Sequence, residues 1–215
     1  MSLESIEWVV ARGAGMSAFV LLSVAVALGL ALSLRASSPA WPRLLTTDLH
    51  RSVTVLALWM TALHLGMLLV DAQADIAVVD LVVPFATDYR PLATALGVLA
   101  LDVLVVTWVS TLMRARLGQR RWRALHRIAI VAYIAALGHG VLAGTDRGTP
   151  WAVFVFVASD LGVGMLLLAR ILRSRTTSAT PPPTPPPASG AGGGGLPPLT
   201  PRPARAGEGL PPLAR

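Results

Sequence analysis

The sequence predicts an all-α fold, an integral membrane bundle of five transmembrane helices followed by a disordered C-terminal tail. Three observations carry that expectation. Of 215 residues, 54% are hydrophobic and only 13% charged, against roughly 25% charged in an ordinary soluble domain. The apolar residues are gathered into five runs. The arginines collect between those runs rather than within them.

The first run, residues 16–34, is free of charge, and at ~1.5 Å per residue it reaches across most of a ~30 Å hydrocarbon layer. A cleaved signal peptide is the alternative, but Glu4 and Glu7 precede Arg12, and the run exceeds the usual apolar stretch of roughly 7 to 15 residues. Residues 52–70 form the second run and 128–144 the fourth. Residues 92–113 form the third, interrupted only by Asp102, and 150–169 the fifth, interrupted by Asp160. Pro91 and Pro150 stand where the third and fifth runs open, in first-turn positions that need no amide donor. Helices are predicted throughout because backbone exposed to lipid must satisfy its own hydrogen bonds. Between the second and third helices, AQADIAVVDLVVPFATDYRP is too apolar for a free loop and too interrupted for a span. It reads as an outer cap with a short helical turn.

Charge sets the expected orientation. Twelve arginines fall at one end: three within residues 35–51, six within RARLGQRRWRALHR at 114–127, and Arg170, Arg173 and Arg175. The other end holds Arg12, Arg90 and Arg147 among seven acids, including Asp71, Asp80 and Asp146. By the positive-inside rule the N-terminus lies outside and the C-terminus in the cytoplasm of a multi-pass plasma-membrane protein. The net charge of +7 is then an interfacial anchor, with the lipid bilayer as partner and no nucleic acid implied. The resulting division is an extracytoplasmic segment at 1–15, a transmembrane domain at 16–173 and a proline- and glycine-rich cytoplasmic tail at 174–215, too poor in apolar periodicity to bury a core.

Candidate chemistry rests on histidine. The chain has no cysteine, which removes disulfides, thiolate metal sites, iron–sulfur clusters and covalent haem attachment. No GxSxG, HExxH or P-loop pattern is present, and GAGGGG in the proline- and glycine-rich tail stands in no βαβ pattern that could hold a nucleotide, so hydrolytic and nucleotide chemistry have no support. All four histidines, His50 and His64 on the second helix, His126 and His139 on the fourth, lie in or at the mouth of a span. These two helices run in the same direction, so His50 is level with His126 and His64 with His139. The separations of 14 and 13 residues correspond to roughly 21 and 20 Å of rise. Two layers with one histidine from each helix suit two b-type haems, each iron between two imidazoles. The alternatives are hydrogen bonds across helices, or a proton- or metal-handling transporter site. A passive anchor without a cofactor is a further one. A zinc site would want three or four converging ligands.

Fourteen residues at ~100° bring His64 back near the face of His50, whereas thirteen leave His139 about 140° from His126. A π-bulge or local unwinding is therefore expected, with Gly138 and Gly140 as the natural place. These glycines would also admit a porphyrin, or serve helix packing.

In HRSVTVLALWMTALH and HRIAIVAYIAALGH, with ARGAG, LVVPFATDYRPLATALG and WRALHRIA, the chain resembles the ferric reductase-like transmembrane domain family. That family includes the membrane parts of ferric reductases and NADPH oxidases and the haem-binding subunit of the methionine sulfoxide reductase system. The resemblance spans roughly residues 8 to 173. It implies bis-histidine b haems, haem iron ligated by His50, His64, His126 and His139, and electron passage across the membrane. Larger relatives carry a flavin and nicotinamide domain, and no motif for one occurs here. The chain is therefore expected to be the membrane component of an oxidoreductase, with a separate electron donor, a flavoprotein reductase or a quinol, and an unidentified acceptor.

Arg51 and Arg127 each follow a histidine of the cytoplasmic layer and could pair haem propionates bidentately, or simply anchor the interface. Arg12 is favoured over Arg147 for the same task at the outer layer. Asp102 and Asp160, near mid-membrane, would cost at least ~2.5 kcal/mol each if charged and unpaired. They either conduct protons or stay protonated and bond a neighbouring helix.

Overall fold

The computed structural model describes residues 3–71 and 76–179; most of the tail expected from residue 174 lies outside the described residues. Among the described residues the structure is helical, with only an isolated bridge between Ser38 and Trp41 outside helices and turns. Six helices follow in order: α1 (Leu3–Ser33), α2 (Arg43–Val70), α3 (Pro91–Leu112), α4 (Arg114–Arg127), α5 (Ala129–Ala143) and α6 (Pro150–Ala179). Five stretches are long and apolar enough to span a membrane, α4 and α5 together making the fourth. The all-α class and the five spans are as predicted.

Several boundaries differ, each for a physical reason. Helix α1 starts well before residue 16, so the expected extracytoplasmic segment at 1–15 is mostly part of the first helix. Ala11 and Ala14 are buried there, and Arg12 is accommodated because it pairs with Asp146, which removes the penalty of an isolated charge near lipid. Helix α6 likewise continues through residues 174–179, past the point where the tail was expected to begin. The arginine-rich stretch is not an open connection. Gly118, with φ 74° and ψ 158°, makes the corner through a conformation that is essentially restricted to glycine. From residue 119 the chain is helical to Ala143, apart from one turn at Ile128.

That turn takes up part of the 13-residue mismatch. The Ile128 N–H donates to the Leu125 carbonyl at 3.0 Å and the Val131 N–H to the Ile128 carbonyl at 2.8 Å, both bonds spanning three residues. A 3₁₀ turn advances about 120° per residue rather than 100°, so tightening moves His139 towards the face of His126. The expected distortion at Gly138 and Gly140 is not what the structure uses. Those glycines pack instead against Leu96 and Phe156, which lie 3.0 and 2.9 Å from where their Cβ atoms would stand.

The core is built on α1, which lies against α2, α5 and α6, while α3 packs on α5. Phe19, Tyr133 and Phe156 form its aromatic centre, Phe19 stacking on Tyr133 at 5.9 Å and meeting Phe156 at 5.1 Å. Arginines close the helix ends. Arg90 donates to the Leu142 and Ala143 carbonyls at the end of α5, and Arg173 to the Leu34 carbonyl after α1, satisfying acceptors that a helix terminus leaves free. The α2–α3 connection carries the anticipated short turn, a 3₁₀ helix at Val78–Leu81 in which Asp80 accepts the Ala77 N–H at 2.9 Å.

Candidate functional site: two facing pairs of histidines

The structure brings the four histidines together as two pairs. His50 faces His126 with ring centres 6.1 Å apart and planes at 77°, and His64 faces His139 at 6.3 Å and 70°. These are the predicted partners. Among the described residues no group of three or more histidines, aspartates or glutamates converges on one point.

Three of the four rings are seated in the same way. The Nδ1 atoms of His64, His50 and His139 each lie 2.8 Å from a backbone carbonyl, those of Ala11, Ala25 and Ala93 respectively. Four residues after each alanine comes a glycine against the same ring. A Cβ on Gly15 would stand 2.9 Å from His64 Nδ1, one on Gly97 2.7 Å from His139 Nδ1, and one on Gly29 3.4 Å from His50 Cε1. Helical Cβ atoms tilt towards the N-terminus and cover the preceding turn, so a side chain at the fourth position would screen that carbonyl. Glycine leaves it open. With Nδ1–H donated to a carbonyl, the tautomer is set and Nε2 keeps its lone pair for a ligand.

Gly15, Gly29 and Gly97 do not stand out by hydrophobic periodicity. The signal that finds them is A-x-x-x-G at 11–15, 25–29 and 93–97. The same spacing recurs at Ala62–Gly66, Ala136–Gly140 and Ala158–Gly162. It becomes selective on α1 through its 14-residue repeat, which matches the 14 residues between His50 and His64 on the antiparallel α2.

A cavity of about 660 Å³ surrounds the His64–His139 pair, lined by Gly15, Gly97, Phe156 and Arg12, with Asp80 and Arg147 towards its end. Its volume is within the roughly 300–1,000 Å³ of small-molecule sites. Arg12 pairs with Asp146 and keeps a buried Nε without a partner. Arg147 is exposed and donates to the Leu142 carbonyl at 2.9 Å. At the other pair, Arg51 and Arg127 are exposed, and Arg127 Nε donates to the Arg123 carbonyl at 3.2 Å. Asp160 lies on an exposed face of α6 and Asp102 is half-buried on α3; neither lines the cavity.

The family described as ferric reductase like transmembrane component matches residues 14–137, more than half of the chain. The chain belongs to the ferric reductase-like transmembrane family. The matched stretch contains His50, His64 and His126 and stops just short of His139, whose ring the fold nonetheless places opposite His64. No curated protein and no solved structure gives a significant match. Membership carries a membrane electron-transfer role for a multi-pass protein.

Proposed function

We propose that the chain carries electrons across the plasma membrane through two b-type haems, one between His50 and His126 and one between His64 and His139. The N-terminus lies outside and the C-terminus in the cytoplasm. A separate flavoprotein reductase or quinol supplies electrons at the arginine-rich end, and an acceptor takes them at the end bearing Asp71, Asp80 and Asp146.

The observation that carries this reading is the spacing of the rings. A metal–imidazole bond is about 2.0–2.1 Å and the ring centre lies about 1.1 Å behind the bonded nitrogen, so two imidazoles on opposite sides of one ion have centres about 6.2–6.4 Å apart. The His64–His139 pair, at 6.3 Å, falls within that range, and the His50–His126 pair, at 6.1 Å, lies just below it. The donor set fits as well, since the carbonyl bonds to three of the rings leave Nε2 free to ligate. Bis-imidazole haem supplies a one-electron carrier that changes oxidation state without making or breaking a bond.

The chain's own residues do the rest. The glycine seats hold the rings at fixed height, about 21 Å of helix rise apart on α2. Apolar side chains make up most of the wall around His64 and His139. Arg12 lines the cavity and offers its free Nε to a carboxylate there, and Arg51 and Arg127 offer guanidinium groups beside the other pair, as charge-assisted donors. A reduced-minus-oxidised absorption spectrum of the purified full chain tests the reading: sharp low-spin bands and about two haems per chain are expected, and a colourless protein would overturn it.

A further inference from the structure

His126 is the exception among the four rings. Its Nδ1 is buried and has no hydrogen-bond partner. The reason lies on α3. Fourteen residues on from Ala93 and Gly97, the step that separates the two seats on α1, stand Thr107 and Thr111. No glycine opens the carbonyl of Thr107, and two hydroxyls already occupy it: Ser110 Oγ donates to it at 2.8 Å and Thr111 Oγ1 at 2.9 Å.

Trp122 takes up the vacated task. Its indole stacks on the His126 ring with centres 5.1 Å apart and planes at 26°. Its Nε1–H donates to Thr111 Oγ1 at 3.3 Å, and the Arg114 guanidinium carbon lies over the indole, 4.3 Å from its ring centre. Trp122 is therefore held on α3 by the same threonine that closes the fourth seat, and it presents a flat face to the imidazole.

We infer that Trp122 is the positioning residue of His126, replacing a carbonyl hydrogen bond by a ring stack, and that this sets the two histidine layers apart in redox potential. The inference rests on the haem reading above. A carbonyl accepting Nδ1–H makes an imidazole a stronger donor and favours the oxidised metal. The His64–His139 layer has two such bonds and the His50–His126 layer one. The His50–His126 layer is accordingly the one reduced first.

The test uses the full chain in detergent, with haem content, a reductive titration followed by absorbance, and the low-temperature EPR signals of the two low-spin haems, assigned through His50→Ala and His64→Ala. Trp122→Leu keeps apolar bulk without a ring; Trp122→Phe keeps the stack. The wild type is expected to titrate in two steps, the His50–His126 layer more readily reduced by roughly tenfold, about 59 mV for one electron. Trp122→Leu should shift the EPR signal and midpoint of that layer alone, and Trp122→Phe should restore both. Two haems that ignore Trp122→Leu, a shift in the His64–His139 layer, a Phe variant as altered as the Leu variant, or the reverse order of reduction would each overturn the inference and leave the haem reading standing. A wild type without haem would overturn both.

Discussion

The Nδ1 atom of His139 lies 2.7 Å from the point where a Cβ on Gly97 would stand. No relaxed carbon–nitrogen contact is that short, so an alanine at this position must push the ring off the Ala93 carbonyl. Gly97→Ala and Gly15→Ala are each expected to lower haem content from about two per chain towards one. Gly29→Ala, with 3.4 Å of room, should do so weakly. Gly13→Ala and Gly66→Ala, where nothing lies within 4 Å, should leave haem unchanged, since alanine in a helix is favoured by about 1 kcal/mol over glycine. Equal loss at Gly13 and Gly97 would show that helix packing in general, not the ring seat, is at stake.

Pairing predicts how histidine variants combine. His64→Ala and His139→Ala should each remove one haem, and the double variant should be no worse than either single, because both act on one iron. His64→Ala with His126→Ala should remove both. Additive losses within a pair would contradict the two-layer assignment, and quantitative haem extraction reads the difference directly.

The ion pair between Arg12 and Asp146 ties α1 to the turn before α6. Arg12→Ala or Asp146→Asn should lower thermal stability by about 1 kcal/mol or less, as for a half-exposed pair. Exchanging the two, Arg12→Asp with Asp146→Arg, should recover stability in a melting assay. If Arg12 also holds a carboxylate in the cavity, the exchanged variant will melt normally and still bind haem at the His64–His139 layer less well.

Orientation is testable on a chain without cysteine. Ala115→Cys is exposed on the arginine-rich stretch and should react with an impermeant thiol reagent in inverted vesicles and not in intact cells. Ala115 is the better site than neighbouring Gly118, whose φ of 74° with ψ of 158° strains any side chain placed there. Labelling from outside would reverse the topology proposed above.

Most of the architecture was legible in the sequence because its cause is local. Lipid demands uninterrupted apolar runs of a set length, so five spans could be counted, and interfacial charge could be located, without knowing any contact. The partnership of His50 with His126 and of His64 with His139 was legible too, since two helices running the same way put equal depths opposite each other. What tertiary structure alone decided was how the rings are held. Ala11, Ala25 and Ala93 act through backbone carbonyls, which no side-chain pattern advertises, and Gly15, Gly29 and Gly97 act by lacking an atom against a ring on another helix. The distortion that eases the 13-residue spacing lies at Ile128 rather than at Gly138 or Gly140, which pack against Leu96 and Phe156 from neighbouring helices. The missing fourth seat follows the same rule: the Thr107 carbonyl is closed by hydroxyls one turn away. Trp122 reaches His126 locally, as a neighbour four residues earlier on α4, and only the packing of α3 against α4 ties its indole to Thr111.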